Sequence, residues 1–132
     1  MTKKTILHPQ EIETFYIIPA LRKQLALQLK SNGLKQKDIA ELLGINSATI
    51  SQYHSQKRGS QIKFPLCIIK EIKLSAKKIK NRFTYLQQTQ HLLNILREKN
   101  ILCLIHHQFS LLPNNCNPKE MGCHKSHLLC TT

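Results

Sequence analysis

The side chains best suited to chemistry lie near the C-terminus, where Cys103, His106, Cys116 and Cys123 follow one another closely. Thiolate and imidazole groups are the ligands that zinc prefers, and thiolates also hold iron–sulfur clusters. Two residues separate Cys103 from His106, which is the gap of a typical ligand pair. These four residues therefore form a candidate set for zinc or an iron–sulfur cluster.

The later spacing favours other interpretations of the same cysteines. From Cys116 onward, six residues separate each cysteine from the next, whereas structural zinc sites usually leave two to four. The thiols of an irregular tail can be incidental, or an exposed cysteine near Lys125 can sense oxidants. Cys67 and Cys103 lie in apolar surroundings that favour small core residues. The odd total of 5 cysteines argues against a disulfide framework.

Groups for acid–base or nucleophilic catalysis are scarce. The 132 residues include only 7 Asp plus Glu, and no serine or cysteine is paired in sequence with an evident base. There is no glycine-rich loop that would hold a phosphate. An enzyme is therefore not expected.

The charge balance predicts a polyanionic partner. Lys plus Arg number 20 against 7 Asp plus Glu, so the formal net charge is +13. Nucleic acid or an anionic membrane surface would match this charge. No apolar run approaches the ~20 residues of a spanning helix, and no apolar leader follows Met1. We therefore expect no membrane partner and a cytoplasmic location.

The spacing of apolar residues predicts an all-α protein, because they recur every three or four positions and no stretch alternates like a strand. Helices are expected over residues 18–30, 36–43, 46–55, 66–82 and 85–99. Pro19 fits the first turn of the first helix, or kinks a longer helix that begins near Gln10. Gly33 is expected to end that helix in a left-handed conformation. From Leu111 onward, prolines and asparagines interrupt regular structure.

Residues 36–55 have the spacing of two short helices joined by a tight turn. Ala40 is small where the second helix crosses close to the first, and Gly44 lies where the turn needs a positive φ. The residues expected between the helices are Ile39, Leu43, Ile45, Ile50 and Tyr53. Such a pair buries too little apolar surface to be stable alone. The helices over 18–30 and 66–82 are therefore expected to complete the core.

With these residues, the segment resembles the helix-turn-helix of Cro-repressor-like (XRE) transcription regulators. The run from Tyr16 to Arg22 and the later Lys57-Arg58-Gly59 look like a group of predicted XRE-type regulators common in archaea, which carry cysteines near the C-terminus. The likeness is good over residues 12–60 and looser beyond. His54 and Gln56 depart from it, since leucine and glycine are usual there. The resemblance implies a lambda-repressor-like bundle, here with extra C-terminal helices and an irregular Cys/His tail.

The resemblance also implies sequence-specific binding to double-stranded DNA, with the helix over 46–55 in the major groove. The positions that match the base-reading positions of the family are Asn46, Ser47, Ala48, Ser51 and Gln52. Gln52 is the leading candidate, because its amide can form two hydrogen bonds with adenine. The positions expected at phosphates are Lys35, Gln36, Lys37, Thr49, Tyr53, Lys57 and Arg58.

We divide the chain into three regions on this basis. Residues 11–62 are expected to form the DNA-binding domain, and residues 63–110 a helical extension for core completion or dimerisation. Residues 111–132 are expected to form an irregular Cys/His tail. Regulators of this type usually bind two half-sites as dimers, so a homodimer is expected.

The basic helix over 66–82 allows two interpretations. Leu66, Ile69, Ile72 and Ile79 are expected on its inner face, and its polar face is rich in lysine. That face can contact DNA phosphates, or it can simply be solvated. Two other functions also remain open for the whole chain. One is a metal- or redox-responsive regulator that uses the Cys/His tail, and the other is a protein that binds nucleic acid non-specifically by charge.

Overall fold

The computed structural model describes residues 5–54 and 62–123, and within these ranges all regular structure is helical. This confirms the all-α class. The elements are α1 Pro9–Ile12, a π-helical turn Glu13–Ile17, α2 Ile18–Ser31, α3 Gln36–Leu43, α4 Ser47–His54, α5 Leu66–Lys78, α6 Arg82–Glu98, α7 Ile101–Phe109 and α8 Pro118–Met121. None of the helices in the described ranges is long and apolar enough to cross a membrane.

The first three elements follow one another without a break, so Pro19 lies inside a longer helical segment. The sequence allowed Pro19 either in the first turn of a helix or inside a longer helix that begins near Gln10. The longer helix is the one observed, and it begins at Pro9. Proline has no N–H, and its ring crowds the carbonyl group four residues earlier. The π-helical turn immediately before it widens the backbone, and Ile18 N–H donates to the Glu13 carbonyl oxygen there. The π-helical turn therefore accommodates Pro19.

Side chains from the C-terminal helices hold this N-terminal segment in place. Glu13 lies in the π-helical turn, and its carboxylate accepts a hydrogen bond of 2.6 Å from Arg97 of α6. The rings of Tyr16 and Phe109 stack with their centroids 4.2 Å apart. These contacts join residues far apart in sequence, so the C-terminal helices help to define the position of the N-terminal segment.

One hydrophobic core includes buried residues from both sides of the expected boundary at residues 62 and 63. Helix α2 contacts α3 and α4 on the N-terminal part of the chain, and α5 on the C-terminal part. The largest side chains with almost no exposure are Ile12, Ile17, Leu21, Leu25, Leu29, Ile39, Ile50, Ile68, Leu92 and Leu96. Because these residues form a single cluster, the helical extension completes the core on which α3 and α4 rest.

The basic helix is shorter than its sequence pattern predicts. It ends at Lys78 instead of residue 82, and Asn81 begins the next helix by accepting hydrogen bonds from Phe83 N and Thr84 N. The predicted inner face is also partly wrong, because Leu66 is 69% exposed and Ile69 is only half-buried. Its buried residues are Ile68, Ile72, Ser75 and Ala76. The buried face is rotated from the predicted one because α2 and α6 both pack against α5.

The end of the described chain is mostly irregular. Asn100 has a left-handed conformation with φ of 58°, which separates α6 from α7. Beyond Ser110 the only regular element in the described part of the chain is the single turn α8. The irregularity expected from Leu111 onward is thus observed as far as Cys123, and the predicted tail residues 124–132 lie outside the described ranges.

Candidate functional site

A tight turn joins α3 to α4, and local hydrogen bonds define it. Gly44 has φ of 66°, as the spacing predicted, and Ile45 N donates to the Ala40 carbonyl oxygen at 3.0 Å. Asn46 then begins α4, because its Oδ1 accepts a hydrogen bond of 2.9 Å from Ala48 N. The direction of α4 relative to α3 is therefore set by residues 44–46.

The inner faces of α3 and α4 are buried as expected. Ile39 and Ile50 have no exposed surface, Leu43 is 5% exposed, and Ala40 is 9% exposed. Ile45 packs at the edge of the same cluster. Because α2 contacts both helices, the pair rests on α2 with its other side turned away from the core.

Gln36, the first residue of α3, forms hydrogen bonds with α4. Its Nε2 donates to the Ser47 carbonyl oxygen and to Ser51 Oγ, each at 2.8 Å. The side chain is half-buried, so these contacts restrict its reach toward any partner. Gln36 was predicted at a phosphate, and in the structure it is also a positioning residue for the first turns of α4.

Tyr53 was predicted as a phosphate contact. It is only 4% exposed, since it belongs to the inner face of α4. It hydrogen-bonds with Arg22 of α2, and Arg22 Nε also donates to Tyr85 OH of α6 at 3.2 Å. Burial alone would lower the pKa of Arg22, but the two tyrosines outweigh it and raise that pKa above its ordinary value. Tyr53 therefore joins α4 to α2, and its predicted phosphate contact stays a prediction.

The sequence did not identify Arg22 or Tyr85 as part of this site. Both lie outside residues 36–55, and their hydrogen bond joins positions 63 residues apart. No periodicity or spacing rule reports a contact between residues so distant in sequence. The only available signal was their type, because a buried tyrosine hydroxyl needs a polar partner.

The outward face of α4 is open to solvent. Asn46, Ser47, Ala48 and Ser51 are all exposed, and Gln36 contacts only the Ser47 carbonyl oxygen and Ser51 Oγ among their atoms as far as the described hydrogen bonds go. Gln52 is different, because its side chain is half-buried and its amide oxygen Oε1 is buried. In this conformation the amide oxygen of Gln52 is turned away from solvent, and its predicted role as a base reader stays a prediction. Asn46 uses its side-chain oxygen to cap α4, which leaves its amide nitrogen for other contacts.

Three of the remaining predicted phosphate contacts lie within the described residues. Lys35 and Lys37 are exposed at the start of α3, and Thr49 is half-buried. Lys57 and Arg58 lie outside the described residues. Helix α4 itself contains no Lys, Arg, Asp or Glu. The exposed face is therefore polar but uncharged.

The candidate metal ligands do not form a site. Within residues 5–54 and 62–123, which include all four candidates, no group of three or more His, Cys, Asp or Glu is placed to hold a metal ion. His106 is buried, and its Nε2 lies 2.6 Å from the Leu7 carbonyl oxygen. The set Cys103, His106, Cys116 and Cys123 is therefore corrected, because His106 secures the N-terminal segment to α7. Cys67 is exposed, contrary to the expected core position.

Cys103 is expected to react slowly with alkylating reagents in the folded protein. Burial raises the pKa of its thiol, and the nearby Cys123 and Cys116 thiols add to the increase. A raised pKa leaves less of the reactive thiolate at a given pH, so the pH–rate curve should shift to higher pH. Iodoacetamide labelling followed by peptide mass spectrometry measures this rate. The same residue in urea-unfolded chain is the control, and equal curves would contradict the expectation.

Comparison with known proteins adds no relative to this description. No family model, no curated protein and no solved structure matches the chain. The functional argument therefore depends on the geometry of α3 and α4, and on the charge of the surfaces around them.

Proposed function

We propose that this chain is a sequence-specific double-stranded DNA-binding transcription regulator of the Cro-repressor-like type. In this proposal α3 and α4 form a helix-turn-helix in a lambda-repressor-like bundle, and α4 is the recognition helix. The observation that carries the proposal is the division of α4 into two faces. Ile50 and Tyr53 are buried on one side, while Ser47, Ala48 and Ser51 are exposed on the other.

The chemistry of the exposed face fits base edges in the major groove. Serine hydroxyls donate and accept hydrogen bonds, and the Ala48 methyl group can contact the methyl group of thymine. The groove is about 12 Å wide and admits an α-helix. Because Ser47, Ala48 and Ser51 are short, α4 must approach the base edges closely. The hydrogen bonds from Gln36 restrict α4 and so reduce the entropy lost on binding.

Phosphate contacts would position α4 in the groove without reading sequence. Lys35 and Lys37 are the described candidates, and Lys57 and Arg58 remain candidates in the segment beyond α4. We further propose a homodimer on an inverted repeat, since the two recognition helices of such dimers read half-sites about 34 Å apart.

Binding selection from random duplexes tests the proposal. At one fixed salt concentration, we expect enrichment of an inverted repeat whose half-sites are about 10 base pairs apart, or a multiple of that distance. The selected duplex should bind at least ~1,000-fold more tightly than random DNA. Binding without any enriched sequence would contradict sequence-specific regulation and would favour a protein that coats nucleic acid by charge.

A further inference from the structure

Three lysines form a row along the solvent side of α5. Lys70, Lys73 and Lys77 are all exposed. At roughly 100° per residue they lie within a ~60° arc, on the side of the helix opposite Ile68 and Ile72. We call these three residues the α5 lysine row.

The charge of the α5 lysine row is not neutralised within the described part of the chain. The ion pairs found there are between His91 and Glu71, and between Arg97 and Glu13. Glu71 is the acidic residue of α5, and its carboxylate lies 3.7 Å from the His91 ring. The row is therefore a concentrated positive surface with no acidic partner of its own, which favours binding of a polyanion.

The outward face of α4 cannot supply the electrostatic part of DNA binding. Helix α4 carries no lysine or arginine, and its exposed residues are Ser, Ala and capping Asn. In protein–DNA complexes, neutralisation of phosphates with release of counterions gives a large share of the affinity. That share must come from cations outside α4, and α5 is the described helix with the largest number of lysines.

The fold connects the row to the helices of the candidate site. Both α4 and α5 contact α2. Arg82, the first residue of α6 and four residues beyond the end of α5, donates from its Nε to the Glu41 carbonyl oxygen of α3 at 3.0 Å. The row extends along the axis of α5 for about 10 Å at 1.5 Å per residue. One DNA strand presents about three phosphates over that distance.

From these observations we infer that the α5 lysine row is a second DNA-binding surface, which binds backbone phosphates. The inference rests on the proposed function for the identity of the polyanion. The row supplies affinity and salt dependence, whereas α4 supplies the preference for sequence. Removing the row should therefore weaken binding to every duplex by the same factor.

The test compares two triple variants of equal charge. One is Lys70→Gln/Lys73→Gln/Lys77→Gln, and the control replaces three exposed lysines elsewhere, Lys30, Lys63 and Lys99, with glutamine. Glutamine has nearly the helix propensity of lysine, so both variants should fold, as circular dichroism will check. Affinity is measured by fluorescence anisotropy from about 50 to 200 mM salt on the selected duplex and on a random duplex.

We expect the slope of log affinity against log salt to become shallower by about 1 per lysine of the row, and thus by roughly 3. The ratio of specific to random affinity should not change, and the control variant should keep a slope close to that of the parent. An unchanged slope in the row variant overturns the inference. Equal slope changes in both triple variants also overturn it, because they would reflect net charge alone.

The two proposals fail in different ways in this experiment. A parent protein with no preference for any duplex contradicts the proposed function, while the slopes on random DNA still test the row. A parent that keeps its preference, together with an unaffected row variant, overturns the inference alone. A parent that binds no DNA overturns both.

Discussion

Ala48→Glu is expected to lower the affinity for the selected DNA site about 100-fold or more, which is about 2.7 kcal/mol. Ala48 is exposed on the outward face of α4, where the proposed function brings base edges and phosphates. A carboxylate there meets the negative charge of DNA, and like charges at an interface cost several kcal/mol. Stability should not fall, because Ala48 lies in the first turn of α4, where an acidic side chain interacts favourably with the helix dipole.

The matched control for this variant is Gln90→Glu on α6. Gln90 is exposed and lies outside α3 and α4, and the substitution changes the net charge by the same amount. Fluorescence anisotropy gives the affinity, and thermal melting followed by circular dichroism gives the stability. If both variants bind the selected duplex equally well, α4 does not enter the groove with this face and the proposed function is wrong.

Ile50→Ala is expected to lower the free energy of unfolding by about 2–5 kcal/mol. Ile50 has no exposed surface and belongs to the cluster that joins α4 to α2 and α3. Truncation removes buried apolar surface and leaves a cavity that the neighbouring helices fill only in part. Because domains of this size are stable by only about 5–15 kcal/mol, urea unfolding should show a large fall in the midpoint.

Leu66→Ala is the control for this loss. Periodicity alone predicted both Leu66 and Ile50 on inner faces, but Leu66 is 69% exposed. Its truncation is expected to change the free energy of unfolding by no more than about 0.5 kcal/mol. Comparable losses in the two variants would mean that α5 is rotated relative to the structure described above.

Local chemistry predicted much of α3 and α4. Gly44 has the expected positive φ, and α3 has the predicted bounds. Each of these features depends on a residue and its neighbours within about four positions, which periodicity and capping rules describe well. The all-α class followed from the same local signals. Binding to DNA stays a prediction, because it depends on a partner.

The candidate site was only partly predictable, because several of its side chains contact residues distant in sequence. Tyr53 and Gln52 lie on the helix expected to read DNA, yet Arg22 holds one and burial restricts the other. Cys103 and His106 have the spacing of metal ligands, but His106 faces the Leu7 carbonyl oxygen of a segment 99 positions away. The spacing of residues along a helix shows which side chains share a face. It does not show which residues distant in sequence those side chains contact.

The sequence by itself determined the bounds of α3 and the left-handed turn that ends it, because those features depend on side-chain periodicity and on φ at Gly44. The tertiary structure alone decided which side of α5 faces inward. Leu66 and Ile68 are both large and apolar, and only the packing of α2 and α6 against α5 buries Ile68 and leaves Leu66 in water. The same packing turns the α5 lysine row and the uncharged face of α4 outward, because burying a charged or polar group without a partner costs more free energy than leaving it in water.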